Sequence, residues 1–449
     1  MKSQFQIFTI FLLSISTLLI NLPTISSSTI PTEAIPTKSG YLKVNSTSGS
    51  SIFYTFYEAK QPISSLAKTP LLIWLQGGPG CSSMIGNFFE LGPWRVNRSL
   101  ELEPNLYSWN RLFGLVFFDN PIGTGFSIAA EPEEIPRNQR RVSQHLYIAL
   151  KAFIRLDKKL FGRRPVYITG ESYAGKYGPA FGYYIVRRNA WVRKKNRINL
   201  HGVAVGNGLT DPESQVKIHG LNAYYSGLIN DNQRSQLEAE QKNVVELIED
   251  EKWGEATNAR NKVLRMLQNM TGLATLYDVR RKTPYETELV EQFLRDEEVR
   301  KALAVNKKSK VFEECSDEVG NALHEDVMKS VKYKLEYLLK KRVKVLLYQG
   351  GDDLRDGVVS VEAYLKKLKW VGLKEFGSSE RRVWNVRGEV AGYVQKWGSL
   401  SEVVVLGAGH LVPYDQGLNS QVMIEDWVLG RGFFVDDKIE LSYSEMIVS

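Results

Sequence analysis

The sequence is poor in cysteine and histidine, with two and five among 449 residues. Neither cysteine has a histidine nearby, which removes zinc ligation from the possibilities, and no metal or cofactor is expected. An isolated pair far apart, Cys81 and Cys315, points to one long-range disulfide in an oxidising compartment, with two buried thiols as the alternative. Long apolar runs are also scarce. The one candidate, Phe5 to Ile20, is broken by Thr9, Ser14, Ser16 and Thr17, too poor a run for a membrane span. Following Lys2 and preceding "TISSST", it reads as a secretory signal occupying residues 1–28. The mature chain is therefore expected to hold no membrane segment.

The net charge is +8, yet the basic residues are dispersed, with local runs at 187–197 ("RRNAWVRKKNR") and 332–344 ("KYKLEYLLKKRVK"). No recognisable nucleic-acid module or aromatic-lined stripe accompanies them, so both runs read as solvated helix faces and no nucleic-acid partner is expected. No internal repeat is evident. The composition, 43% hydrophobic and 24% charged, is that of a globular chain. Three N-x-S/T sequons, at Asn45, Asn97 and Asn269, are compatible with glycosylation on the secretory route.

Five β-favouring runs each end in a turn of unusual residues: "PLLIWLQGGPG" (70–80), "LVFFDNPIGTG" (115–125), "PVYITGESYAG" (165–175), "VKVLLYQGGDD" (343–353) and "EVVVLGAGH" (402–410). Apolar runs with little alternation imply strands covered on both faces, hence a mostly parallel sheet. Helical patterns between them predict a doubly wound α/β fold, whose ligands gather at the carboxyl ends of strands. Residues 212–330 are charged and helix-favouring and carry no strand signal, as in a mainly helical insertion. The expected organisation is a core formed by 29–211 and 331–449, interrupted by a helical cap at 212–330.

Ser172 lies on a strand-to-helix turn with Gly170 and Ala174 two residues to either side, the pattern of a nucleophile elbow. A serine needs a base, and a fold of this kind supplies acid and base later in the chain. His145, His201, His219 and His324 have helical or polar surroundings, whereas His410 ends a strand among small residues. The acid is Asp352 or Asp353, both ending "LLYQGGDD". An oxyanion hole would use the N–H of Tyr173 and a second N–H from "QGGPG" (76–80), a loop that lacks the G-K-[ST] ending of a phosphate site.

The ordered motifs "WLQGGPGCSS", "DNPIGTGFS", "GESYAG", "GNGLTDP", "EEVRKAL" and "GAGHLVPYDQ" resemble those of the serine carboxypeptidase family, in particular its plant carboxypeptidase-like members, from about Gly40 to the C-terminal region. The resemblance implies an α/β-hydrolase fold, no cofactor, and a triad of Ser172, Asp353 and His410. It also implies an oxyanion hole from Gly78 and Tyr173, and recognition of the substrate carboxylate by Gln76, Gly77, Glu90 and Glu171. In such a site two close carboxyls share a proton, which gives an acidic working range. Without the resemblance, Glu90 would read as a surface glutamate. The resemblance further implies the Cys81–Cys315 bridge, holding the oxyanion loop to the end of the cap. Gln76 stands where many members have asparagine, Gly417 where proline is usual, and "GGDD" is uncommon before the acid. The implied activity is removal of C-terminal residues from peptides with a free C-terminus, by a secreted or vacuolar protein. A glucose-ester acyltransferase is the alternative, and an inactive secreted binding protein a more distant one.

Overall fold

The computed structural model describes residues 30–435, so the expected signal segment and the last residues lie outside it. A ten-stranded sheet runs through the molecule in the order β1-β2-β6-β3-β7-β8-β9-β12-β11-β10. Its strands are β1 (Lys38–Lys43), β2 (Ser51–Tyr57), β3 (Leu71–Leu75), β6 (Gly114–Phe118), β7 (Val166–Glu171), β8 (Leu200–Gly206), β9 (Lys344–Gly350), β10 (Arg382–Val386), β11 (Glu389–Trp397) and β12 (Leu400–Val405). A separate ribbon pairs β4 (Trp94–Val96) with β5 (Leu102–Pro104).

The central strands, from β6 through β3, β7, β8 and β9 to β12, pair in parallel, and antiparallel strands close both edges. Every residue of β3, β6, β7 and β12 is buried. Continuous burial requires cover on both faces, which is why these segments lack alternation. One face packs against the helices Gln139–Leu156, Ala174–Asn189 and Lys332–Lys340, and the helix Gly417–Leu429 buries Trp427 in the cluster on the other face.

The five strands expected from sequence are β3, β6, β7, β9 and β12. The sixth parallel strand, β8, was not among them, because "LHGVAVG" has glycines at both ends of a short apolar run. It separates β7 from β9 and holds His201, so that histidine belongs to the sheet. Between β8 and β9 the chain forms helices and no strand, including the pair Asp231–Glu249 and Trp253–Thr271. The first of this pair begins with a capping box of Asn230 and Gln233, and the second ends at Gly272 in the left-handed conformation. Among the described residues no helix is long and apolar enough to cross a membrane.

Candidate active site

β7 ends at Glu171, and the helix Ala174–Asn189 begins three residues later. Ser172 makes the turn with φ +59°, a conformation that costs an ordinary residue roughly 1–2 kcal/mol. Backbone bonds hold it there: the Ser172 N–H donates to the Gly206 carbonyl, and the Ser172 carbonyl accepts from Gly175 and Leu209, each at 2.9 Å. A Cβ on Gly170 would lie 2.3 Å from the Leu75 carbonyl oxygen, and one on Gly77 would lie 2.7 Å from Ser172 Cβ. Small neighbours are thus required by the approach of β3 and its following loop, and that approach brings the loop amides to the serine.

At the end of β12, His410 Nδ1 is 2.7 Å from Asp353 Oδ2, which also accepts from Asn207 Nδ2 at 2.7 Å. Asp353 Oδ1 accepts from the backbone N–H groups of Arg355 and Asp356 at 2.8 and 3.2 Å. Three donors besides the imidazole thus point at this carboxylate, and Nδ1 is the ring nitrogen that faces it. Nε2 is buried and has no hydrogen-bond partner among the described residues. His410 and Ser172 line one cavity of about 290 Å³ without a direct hydrogen bond between them, as is common for such pairs before substrate binds. Asp352 is turned elsewhere, 3.1 Å from Arg280, so of the two aspartates it is Asp353 that meets His410.

Two contributors had no assigned role in the sequence. Asn207, at the end of β8, has φ +44°, donates its N–H to the Tyr348 carbonyl and accepts from Gly350 N–H, tying β8 to the acid's turn. It lies within the "GNGLTDP" motif, which was the available signal. Tyr277, from the helical segment, accepts the His410 N–H at 2.7 Å and lays its ring 4.3 Å from the imidazole. Arg355 Nη1 donates to the Tyr277 hydroxyl. No local pattern marks Tyr277, because its contact depends on how a distant segment returns to the core.

The Gly78 and Tyr173 amide N–H groups donate to no described residue. Their loop is anchored on two sides. Cys81 and Cys315 form a disulfide, flanked by Ser82 N–H to Glu314 carbonyl and Ser316 N–H to Gly80 carbonyl, both 2.9 Å. Asp119 accepts from Ser82 Oγ and Ser83 N–H at 2.6 and 2.9 Å. Burial pushes the Asp119 carboxyl up to about 6 despite those bonds. Below the elbow, Tyr173 OH and Gln139 Nε2 both donate to Asp326, and the buried Lys176 ammonium donates to the Asp326 and Lys329 carbonyls.

Glu90 and Glu171 are both buried, Glu90 with no exposed surface. Gln76 joins them: its Oε1 accepts from Trp74 Nε1 at 2.7 Å, which directs Nε2 to Glu90 at 3.1 Å and Glu171 at 2.7 Å. An indole can only donate, so Trp74 fixes the amide orientation. Burial lifts Glu90 to about 7, opposed by hydrogen bonds from Glu171 and Gln76. Burial and then the charge of Glu90 hold Glu171 well above the carboxylate range. Gln76 is the group that links the two carboxyls, whose Oε2 atoms are buried without a hydrogen-bond partner among the described residues. Gln76, Gly77 and Glu171 line the cavity with Ser172, whereas Glu90 stands behind them, its carbonyl held by Arg95 and Asn105.

A second cavity of about 190 Å³ meets the first at Ser172 and Gly78, and Arg260, His324 and Asp356 line it. His145 and His219 are buried elsewhere, pushed by that burial down to about 4 and about 3. Of the sequon asparagines, Asn269 is exposed on a helix, Asn97 is half-buried between β4 and β5, and Asn45 donates to Glu134.

The model of the serine carboxypeptidase family matches residues 28–430. Serine carboxypeptidase-like 50 of Arabidopsis thaliana is 57% identical over 406 residues, 90% of each chain. Venom serine carboxypeptidase of Apis mellifera is 35% identical, covering 89% of this chain and 86% of the relative. Among solved structures, the prohormone-processing carboxypeptidase Kex1 of Saccharomyces cerevisiae superposes with a TM-score of 0.79 at 26% identity, over 87% of this chain and 90% of that one.

Proposed function

Because this chain belongs to the serine carboxypeptidase family, we propose that it removes C-terminal residues from peptides in acidic surroundings through an acyl-enzyme on Ser172. The observation that carries the reading is the Gln76 amide joined to two buried carboxyls, one of them directly before Ser172 on the same cavity wall. A protonated carboxyl pair donates hydrogen bonds to a carboxylate, which an alcohol or an internal peptide lacks.

In this reading the C-terminal residue occupies the cavity lined by Gln76, Gly77 and Glu171, and the residue before it faces the Arg260 cavity. Ser172 Oγ attacks the carbonyl between them while His410 Nε2 takes the hydroxyl proton, and Asp353 stabilises the imidazolium. The N–H groups of Gly78 and Tyr173 hold the developing oxyanion. The C–N bond breaks as His410 returns the proton to the leaving amine. Water, deprotonated by the same imidazole, then releases the acyl group and restores Ser172. Residues 212–330 serve as the cap, and passage through the secretory pathway, with sugar at the sequons, suits the expected signal.

Purified protein supplied with a blocked dipeptide and with an aromatic glucose ester tests the reading. Release of the terminal amino acid at pH 5, abolished by Ser172→Ala, is expected. Acyl transfer from the ester without peptide cleavage would replace it with the transferase reading. Neither reaction, together with no labelling of Ser172 by an organofluorophosphate, would leave a binding protein.

A further inference from the structure

A groove of about 410 Å³ lies along the helix Gln139–Leu156, and none of its lining residues lines either cavity at Ser172. Six cationic side chains border it: Lys43 from β1, Lys151 and Arg155 from that helix, Lys158 from the next turn, and Lys195 and Arg197 from the segment before β8. No aspartate or glutamate lines it, and none of the six cations forms an ion pair with a described residue. Lys151 donates to the Asn196 carbonyl, joining the two walls, and Arg197 donates to the Val192 carbonyl within its own segment; neither contact supplies a countercharge. Burial first, and then the neighbouring Arg155 and Lys158, push the Lys151 ammonium down. The sequence showed only half of this, since the 187–197 run reads as a solvated face until the fold brings it opposite Lys43 and the helix.

We propose that this groove binds a linear acidic polysaccharide, its repeating carboxylate or sulfate groups meeting the cations on the two walls. Lys151 and Arg155 stand one helical turn, about 6 Å, apart, Lys158 follows three residues on, and Lys43, Lys195 and Arg197 come from other elements, so the charge is spread over the groove and suits a chain better than a single anion. The floor disfavours nucleic acid: Tyr147, its one aromatic lining residue, is 9% exposed and has the Arg188 guanidinium over its ring, so it offers no face to a base. The disulfide belongs to an oxidising compartment, where uronate and sulfate chains are found.

The test is titration of the full-length protein with oligogalacturonate, a heparin-type oligosaccharide, a neutral dextran and a DNA oligomer at low salt. Binding to either acidic sugar chain, and none to dextran, is expected; the tighter of the two identifies the anionic group. The variant Lys151→Gln/Arg155→Gln/Lys158→Gln should bind at least tenfold more weakly, with unchanged turnover of a blocked dipeptide and an unchanged melting temperature. Lys43→Gln/Lys195→Gln, which leaves the Lys151 tether intact, should weaken binding in the same direction. The control Lys340→Gln/Lys341→Gln/Lys374→Gln carries the same change of charge on exposed residues outside the groove. An equal loss in that control, tighter binding of DNA than of both sugar chains, or no binding of either chain would overturn the proposal.

Discussion

His410 Nδ1 and Asn207 Nδ2 converge on one oxygen of Asp353, each at 2.7 Å. The acid is therefore oriented from β8 as well as from its own turn. Asp353→Asn would place an amide donor against Nδ1 and favour the other tautomer, so kcat should fall on the order of ten-thousand-fold. Asn207→Ala removes one hydrogen bond to a charged group, for a loss of about tenfold to a hundredfold in kcat. KM should move little in either variant, and steady-state kinetics on a blocked dipeptide decides the matter.

The proposed role of the carboxyl pair predicts a pH dependence of binding. Burial raises Glu90 to about 7 and holds Glu171 well above its ordinary range, so in the proposed reading rising pH should remove a proton from the pair and set negative charge against the substrate carboxylate. KM for a dipeptide acid should rise about tenfold per pH unit above this range, the limit for one titrating proton. The matching C-terminal amide should show no such rise. Glu171→Gln keeps a neutral donor at every pH and should flatten the profile; a profile as steep as the parent's would sink the assignment.

Stability should also favour mild acid. Glu90, Asp119 and Glu402 have folded-state values raised to about 7, 6 and 7, chiefly by burial. The folded chain thus holds protons that the unfolded chain releases, and stability present below the unfolded values is lost as pH rises through 6 to 7. His145 and His219, depressed to about 4 and 3, act in the opposite sense as pH falls below the ordinary histidine range. Thermal unfolding should show a maximum near pH 5 and a lower melting temperature at pH 8. Glu402→Gln, remote from the cavity, should lessen the alkaline fall without altering KM.

Removing the bridge tests the anchoring of the oxyanion loop. The disulfide closes 234 residues, and Cys81→Ser/Cys315→Ser should lower stability by about 2–5 kcal/mol. Because Gly78 lies three residues from Cys81, kcat should fall more than KM rises. Denaturant melts and kinetics on the same preparation separate the two effects.

The Arg260 cavity predicts a side-chain preference. Arg260 is buried, and its guanidinium stays 3.6 Å from Asp356, beyond a hydrogen bond, with Arg355 beside the same carboxylate. Peptides with glutamate or glutamine next to the terminal residue should be cleaved faster than those with lysine. Arg260→Ala should erase most of that ratio in kcat/KM.

Much of the site was legible because its chemistry is local. Ser172, the glycines around it, the loop at 76–80 and the strand ends that carry Asp353 and His410 follow from short patterns, and the buried parallel strands announce themselves as unbroken apolar runs. What escaped depends on long-range approach. Edge strands β10 and β11 mix exposed and buried residues and lack a continuous signal. Glu90, named only through the family resemblance, follows two phenylalanines in a segment whose burial depends on the ribbon β4–β5 and on Arg95. Asn207 and Tyr277 act only once separate segments have met.

The hold of Tyr277 on His410 limits how far this molecule can be treated as interchangeable parts. The His410 backbone N–H meets a carbonyl, and its ring an aromatic face, that both belong to the helical segment. Asp326 of the same segment supports the elbow through Tyr173. A chimera given a foreign segment would inherit the strands and the Asp353–His410 contact, yet lose the carbonyl and the ring that hold His410 from the other side. Altering specificity by exchange of this segment therefore calls for grafts that stop short of Tyr277 and Asp326.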